Sequence, residues 1–196
     1  MKLGNPAVVG LAGFGLTTFT LQLFNLKVIG LAPVIWYGLI FGGACQLIAG
    51  LLEFRTGNNF GFMAFTGYGA FWIALSFMLT FGTNTALGKA FPALAMGPSD
   101  LGYFLVGWTI FTAILFVGSM RASTALAIVF LTLLLGFIGL DIAELGKVAA
   151  VGTLAAYDLI VCAFSALYLA AATVYADSGI KLPIGGPWMK GSKESA

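Results

Sequence analysis

The side chains in this sequence that could do chemistry are hydroxyls, amides and a few carboxylates set in apolar runs. Their types suit holding a solute and do not suit breaking a bond. His is absent, and Cys45 and Cys162 each stand alone in an apolar stretch, where they read as small packing residues. No group of Cys and carboxylates has metal-ligand spacing, so no metal is expected. A Walker A sequence is missing, which excludes ATP as a directly bound driver. With no nucleophile and base in a recognisable pairing, no catalytic residue and no cofactor are expected, and the chain does not read as an enzyme.

The polar candidates fall in helical register. Gly38, Gly42, Gln46, Gly50 and Glu53 follow at intervals of four, four, four and three, which places them on one face of a helix. Gly38-x-x-x-Gly42 is a small-xxx-small pattern that suits close helix packing. Gln46 carries an amide that needs a partner or water at mid-depth, so it is expected to line a cavity. Glu53 stands at a span end, as an interfacial anchor or a packing partner. Earlier in the chain, Gly10, Gly13 and Gly15 flank Phe14, and Thr17 and Thr18 follow; Phe14 with either threonine puts an apolar ring beside a donor. Phe65, Tyr68, Trp72 and Ser76 form a similar stripe further on, and a Phe and a Tyr closing a narrow pore would gate it by dewetting. Asp158 is conspicuous because an ionised carboxylate inside a span is costly to bury.

These residues must be positioned by membrane helices. Of the 196 residues, 60% are hydrophobic and 8% charged, and the mean hydropathy is +1.03. Soluble domains carry roughly 25% charged residues, so this surface has to face lipid. A formal charge of +2, spread one basic residue per loop, excludes a nucleic-acid partner. A span needs about 20 apolar residues. Six stretches qualify, at 7–24, 31–52, 62–82, 101–120, 122–140 and 148–176. The first is too long for a signal peptide's apolar region and is expected to stay in the mature protein. The expected fold is therefore an all-α integral membrane protein, a six-transmembrane-helix bundle over 1–180 with a polar tail over 181–196 that frays after Pro187. Lys2, Arg55, Arg121, Lys181, Lys190 and Lys193 lie on one side, and Lys27, Lys89 and Lys147 on the other, which favours cytoplasmic termini. Tyr68 and Ser76 recur as Tyr157 and Ser165 at the same interval, an arrangement that two inverted three-helix halves would produce.

Asn5-Pro6-Ala7 invites comparison with aquaporins, but those need two such triplets at opposed half-helices and only one occurs. A fuller match begins with Asn5-Pro6-Ala7-Val8-Val9-Gly10-Leu11-Ala12-Gly13-Phe14-Gly15. It continues through Gly50-Leu51-Leu52-Glu53, Gly57-Asn58-Asn59-Phe60-Gly61 and Ala64-Phe65-Thr66-Gly67-Tyr68-Gly69-Ala70-Phe71-Trp72. It closes with Ala166-Leu167-Tyr168-Leu169-Ala170 and Leu182-Pro183-Ile184-Gly185. This ordered set resembles the acetate uptake transporter family, which includes the bacterial succinate–acetate permeases. Val8 departs from the pattern, standing where the family has a second proline.

The resemblance implies a six-helix protomer in the inner membrane with cytoplasmic termini, a hexameric assembly and a separate pathway through each protomer. It implies acetate, or succinate and other short carboxylates, as the solute, carried alone or with protons. It also implies a hydrophobic mid-membrane constriction at the positions matching Phe14, Tyr68 and Leu133. Asn5, Gly10, Thr17, Thr18, Gln46, Glu53, Trp72 and Asp158 are the candidates for the pathway, although Asp158 lies outside the shared motifs. Two rivals remain at this stage: a pore for a neutral solute such as urea or ammonia, and a membrane sensor or assembly protein that transports nothing.

Overall fold

In the computed structural model, which describes residues 4–82 and 84–190, six helical stretches are long and apolar enough to cross a membrane. They are α1 (Ala7–Asn25); a composite span of α2 (Leu31–Leu39), a π-helical turn (Ile40–Cys45) and α3 (Gln46–Thr56); α4 (Asn59–Thr80); α6 (Asp100–Ser119); α7 (Thr124–Gly146); and α8 (Ala149–Asp177). A short α5 (Ala86–Ala90) sits in the loop between α4 and α6. Among the described residues no strand is present. α1 packs on α8 and on the composite span, α4 on α3, and α7 between α6 and α8. The large apolar side chains left outside, such as Trp36, Phe54, Tyr103 and Leu154, are exposed on the bundle, as lipid-facing helices require.

Two segments expected as loops are helical. The second span runs on through Glu53 to Thr56, and the fifth runs on from Asp141 to Gly146. In both places a carboxylate that looked like a stop signal has found a donor. Asn58 donates to Glu53 Oε2 at 2.8 Å, and Thr109 on α6 donates to Asp141 Oδ2 at 2.6 Å. The second bond ties α6 to α7. Between α3 and α4, Gly57 takes φ +76 in the left-handed region that glycine adopts without cost, and Asn58 caps α4 by accepting from Gly61 N at 3.0 Å.

The single-face stripe Gly38–Gly42–Gln46–Gly50–Glu53 is a correction. The π turn closes i→i+5 bonds and shifts the register of everything after it. Gly42 therefore meets Thr17 of α1, whereas Gly38 meets Ser76 and Gly50 meets Thr66, both on α4. The span presents two close-packing faces where simple spacing gave one. The Tyr68–Ser76 and Tyr157–Ser165 intervals also occupy different settings, because Tyr68 is 3% exposed and Tyr157 58%.

The tail does not fray at Pro187. After α8 it folds back over the α6–α7 turn. Ala125 N donates to Ile184 O at 2.8 Å, Thr124 Oγ1 to Gly186 O at 2.8 Å, and Trp188 N to Met120 O at 2.8 Å. Tyr168 on α8 adds a bond to Pro183 O at 2.9 Å. These bonds use carbonyls and amides at a helix end that no intrahelical partner can reach. The tail positions from 191 onward, and Lys2, lie outside the described residues. Gly185 has φ +69, and a Cβ there would lie 2.6 Å from Thr124 Cβ. Gly185→Ala should therefore loosen the tail, at a local cost of about 1–2 kcal/mol, and speed proteolytic cleavage after Lys181. A cleavage rate equal to the parent's would show that the strap is not held this way.

Candidate permeation path

Two cavities lie end to end inside the protomer, of ≈ 180 and ≈ 190 Å³. Each is far larger than the ~10–15 Å³ that one water requires. The first is lined from the Asn25 end of α1, the end of α4, the start of α6 and the end of α7, including Thr18, Gln22, Trp72, Leu101, Leu140 and Glu144. The second opens from the opposite ends of α1, α4 and α7 together with α3 and α8, including Ala7, Gln46, Asn58, Gly61, Leu126 and Thr173. Three residues line both: Phe14, Tyr68 and Leu133. All three are buried, and the Phe14 and Tyr68 ring centroids are 5.7 Å apart.

Helix geometry explains this placement. Phe14, Thr18 and Gln22 stand four residues apart on α1 and run along one face into the first cavity. On α4, Phe65 lines the second cavity, Tyr68 both and Trp72 the first, so one stripe crosses the full depth. α7 contributes Phe130, Leu133 and Phe137 in the same order. Phe71 lines the first cavity beside the stripe, and Trp108 of α6 braces both, its ring centroid 5.1 Å from Phe71 and 6.1 Å from Tyr68.

The polar character of the walls is unusual. Thr18 Oγ1, Gln22 Nε2 and Trp72 Nε1 are buried in the first cavity's wall without a hydrogen-bond partner among the described residues. Gln46 holds both its amide atoms in that condition in the second. A buried donor left unpaired costs roughly 1–3 kcal/mol, which a solute bearing acceptors can recover. Among the described residues no Lys or Arg lines either cavity; Lys27, Lys89, Arg121 and Lys147 are exposed at the span ends. Glu144 is, among the described residues, the one carboxylate on either wall, at the α7 end of the first cavity.

The remaining candidates sit elsewhere. Thr17 is fully buried against Gly42 and lines neither cavity. Gly10 lets α1 approach the Phe65 ring. Asn5 accepts from Ala7 N at 3.0 Å at the start of α1 and borders a separate surface hollow with Asp177 and Lys181. Glu53 is 2% exposed and stands behind the wall, where it holds Asn58, which does line the second cavity. Asp158 is half-buried and lines neither cavity. It shares an α8 face with Cys162, whose Sγ donates to Val129 O of α7 at 3.3 Å, so it points along the α7–α8 seam. Gln22, Glu144 and Thr112, the partner of Tyr68, were not singled out by sequence reasoning. Gln22 was recoverable from the spacing 14, 18, 22; Thr112 was not, because its partner lies 44 residues away.

The chain is 38% identical over 173 residues to the succinate-acetate/proton symporter SatP of Escherichia coli, covering 86% of this chain and 87% of that one. It is 35% identical over 182 residues to the Ammonia transport outward protein 2 of Saccharomyces cerevisiae, covering 88% of this chain and 62% of that one. The solved structure of the bacterial acetate channel SatP superimposes with a TM-score of 0.87 at 37% identity, over 94% of this chain and 100% of that one. A family model described as GPR1/FUN34/yaaH matches residues 1–184. The chain belongs to the GPR1/FUN34/yaaH family.

Proposed function

We propose that each protomer carries acetate and similar short carboxylates through the two cavities, as a channel or proton-linked permease, with Phe14, Tyr68 and Leu133 forming the constriction. The observation that carries this reading is the pair of cavities that share those three residues and hold unpaired donors on either side. A carboxylate held by Thr18, Gln22 and Trp72, or by Gln46, gains charge-assisted hydrogen bonds of about 1.5–3 kcal/mol each. Without a cation the well stays shallow enough for the anion to leave again, which throughput demands. The methyl group suits the apolar remainder of each wall. The likeness to SatP supports acetate and succinate as the solute class.

In the assembled state we place the chain as a hexamer in the inner membrane, with both termini cytoplasmic and the second cavity facing the cytoplasm. The distribution of basic residues supports that orientation. A neutral-solute reading is favoured by one observation, the likeness to a protein named for ammonia transport. Flux into proteoliposomes separates the two. Saturable acetate uptake, measured with and without an imposed pH gradient, supports the carboxylate reading; ammonia flux with acetate excluded overturns it.

Phe14→Ala or Leu133→Ala should raise acetate flux per assembled protein several-fold and admit longer or dicarboxylic acids that the parent rejects. Slower acetate flux with unchanged size selectivity would remove these residues from the constriction. Asp158→Asn tests the opposite expectation. Because Asp158 sits on the α7–α8 seam, the change should alter thermal stability or oligomer yield and leave the pH profile of acetate flux as it is. A flattened pH profile would place Asp158 on the path.

A further inference from the structure

We propose that Thr112 is a positioning residue for permeation, because it takes the phenolic proton of Tyr68 and so withholds from a passing carboxylate the one O–H at the constriction. This deepens the reading above and rests on it. Thr112 lies on α6, is fully buried, and places Oγ1 2.8 Å from Tyr68 OH. The same Oγ1 donates to Trp108 O one turn back, at 2.7 Å. A threonine hydroxyl has one proton, and here the Trp108 carbonyl receives it. Tyr68 is therefore the donor in the shared bond, and its single proton is spent on Thr112.

The ring is also fixed laterally. Phe111 meets it edge-on at 5.4 Å, with Trp108 at 6.1 Å and Phe130 at 6.3 Å. The hydroxyl points to α6, and what remains at the constriction is aromatic carbon and the Leu133 side chain. Free donors thus flank the narrowest point and none stands in it. A donor at that point would deepen the well where the anion must pass fastest, trading throughput for binding.

Thr112→Val keeps the volume and removes the acceptor, so the phenol can turn its proton to the path. In proteoliposomes the half-saturating acetate concentration should fall about fivefold, the worth of one net hydrogen bond, and maximal flux should fall with it. Thr112→Ser should restore parental values. In a Tyr68→Phe background, Thr112→Val should add nothing, since no proton is left to release. An equal effect in that background would make Thr112 a packing residue only and overturn the proposal, as would parental kinetics in Thr112→Val. A parent that carries no acetate in the same vesicles overturns the carboxylate reading itself, a result distinct from both. The hydrogen-bond state can be read without any Thr112 variant. The tyrosine Raman doublet of Tyr68, isolated as the difference between parent and Tyr68→Phe, should report a donor; an acceptor signature refutes the assignment.

Discussion

A phenol buried among six apolar helices has to give its proton to another helix or lose the free energy of the unmade bond. Tyr68 gives its proton to Thr112, and the arrangement of the protomer's interior follows from that bond. It joins α4 to α6 beside the Phe111 and Trp108 rings of α6, and it fixes the ring whose other side meets Phe14 of α1. Trp108 packs edge-on against Phe71 beside it, and Leu133 of α7 lines both cavities with it. Elements distant in sequence thereby present one apolar junction between two partly polar cavities. A looser tyrosine would leave both cavities in place and blur what separates them.

The spans were legible because hydropathy over about twenty residues is a strong, local signal. Their ends were less so. Asp141 and Glu53 read as loop residues from charge alone, and only a partner on a neighbouring structural element, Thr109 or Asn58, lets the helix continue past them. On the candidate path, the residues visible in the sequence were those sharing a helical face, such as Phe14 with Thr18, or Phe65 with Tyr68 and Trp72. Between Thr17 and Thr18 the sequence could not choose, because adjacent threonines point to different neighbours, one to Gly42 and one to a cavity. That choice depends on where α1 meets the composite span, which periodicity within α1 cannot express. Leu133 looks like any other leucine of its run, and only the resemblance to a family marked it.

The electrostatic design follows from the same economy of charge. A lysine or arginine on the path would bind a carboxylate tightly and would itself have to be held inside the membrane at a cost of several kcal/mol. The cavity walls hold neutral N–H and O–H groups instead, on Thr18, Gln22, Trp72 and Gln46, each buried and unpaired among the described residues. Such donors favour an anion without competing for it as an ion pair would. Glu144 stands at the α7 end of the first cavity.

The π turn at Ile40–Cys45 links the packing to the path. A regular α-helix through this span would keep Gly38, Gly42, Gln46 and Gly50 on one face, and that face could approach one neighbour. The wider turn lets Gly42 meet α1 while Gly38 and Gly50 meet α4. Gly13 of α1 completes the contact, since a Cβ there would lie 2.6 Å from the Phe41 carbonyl inside the turn. The composite span is thereby pinned between α1 and α4, the two helices that carry Phe14 and Tyr68. Gln46, the first residue after the turn, is delivered into the cavity between them. An irregular backbone inside a membrane is tolerated only where protein or a cavity covers it. Here α1 and α4 cover the two glycines of the turn, so the turn that costs regular hydrogen bonding also places the Gln46 amide at the second cavity.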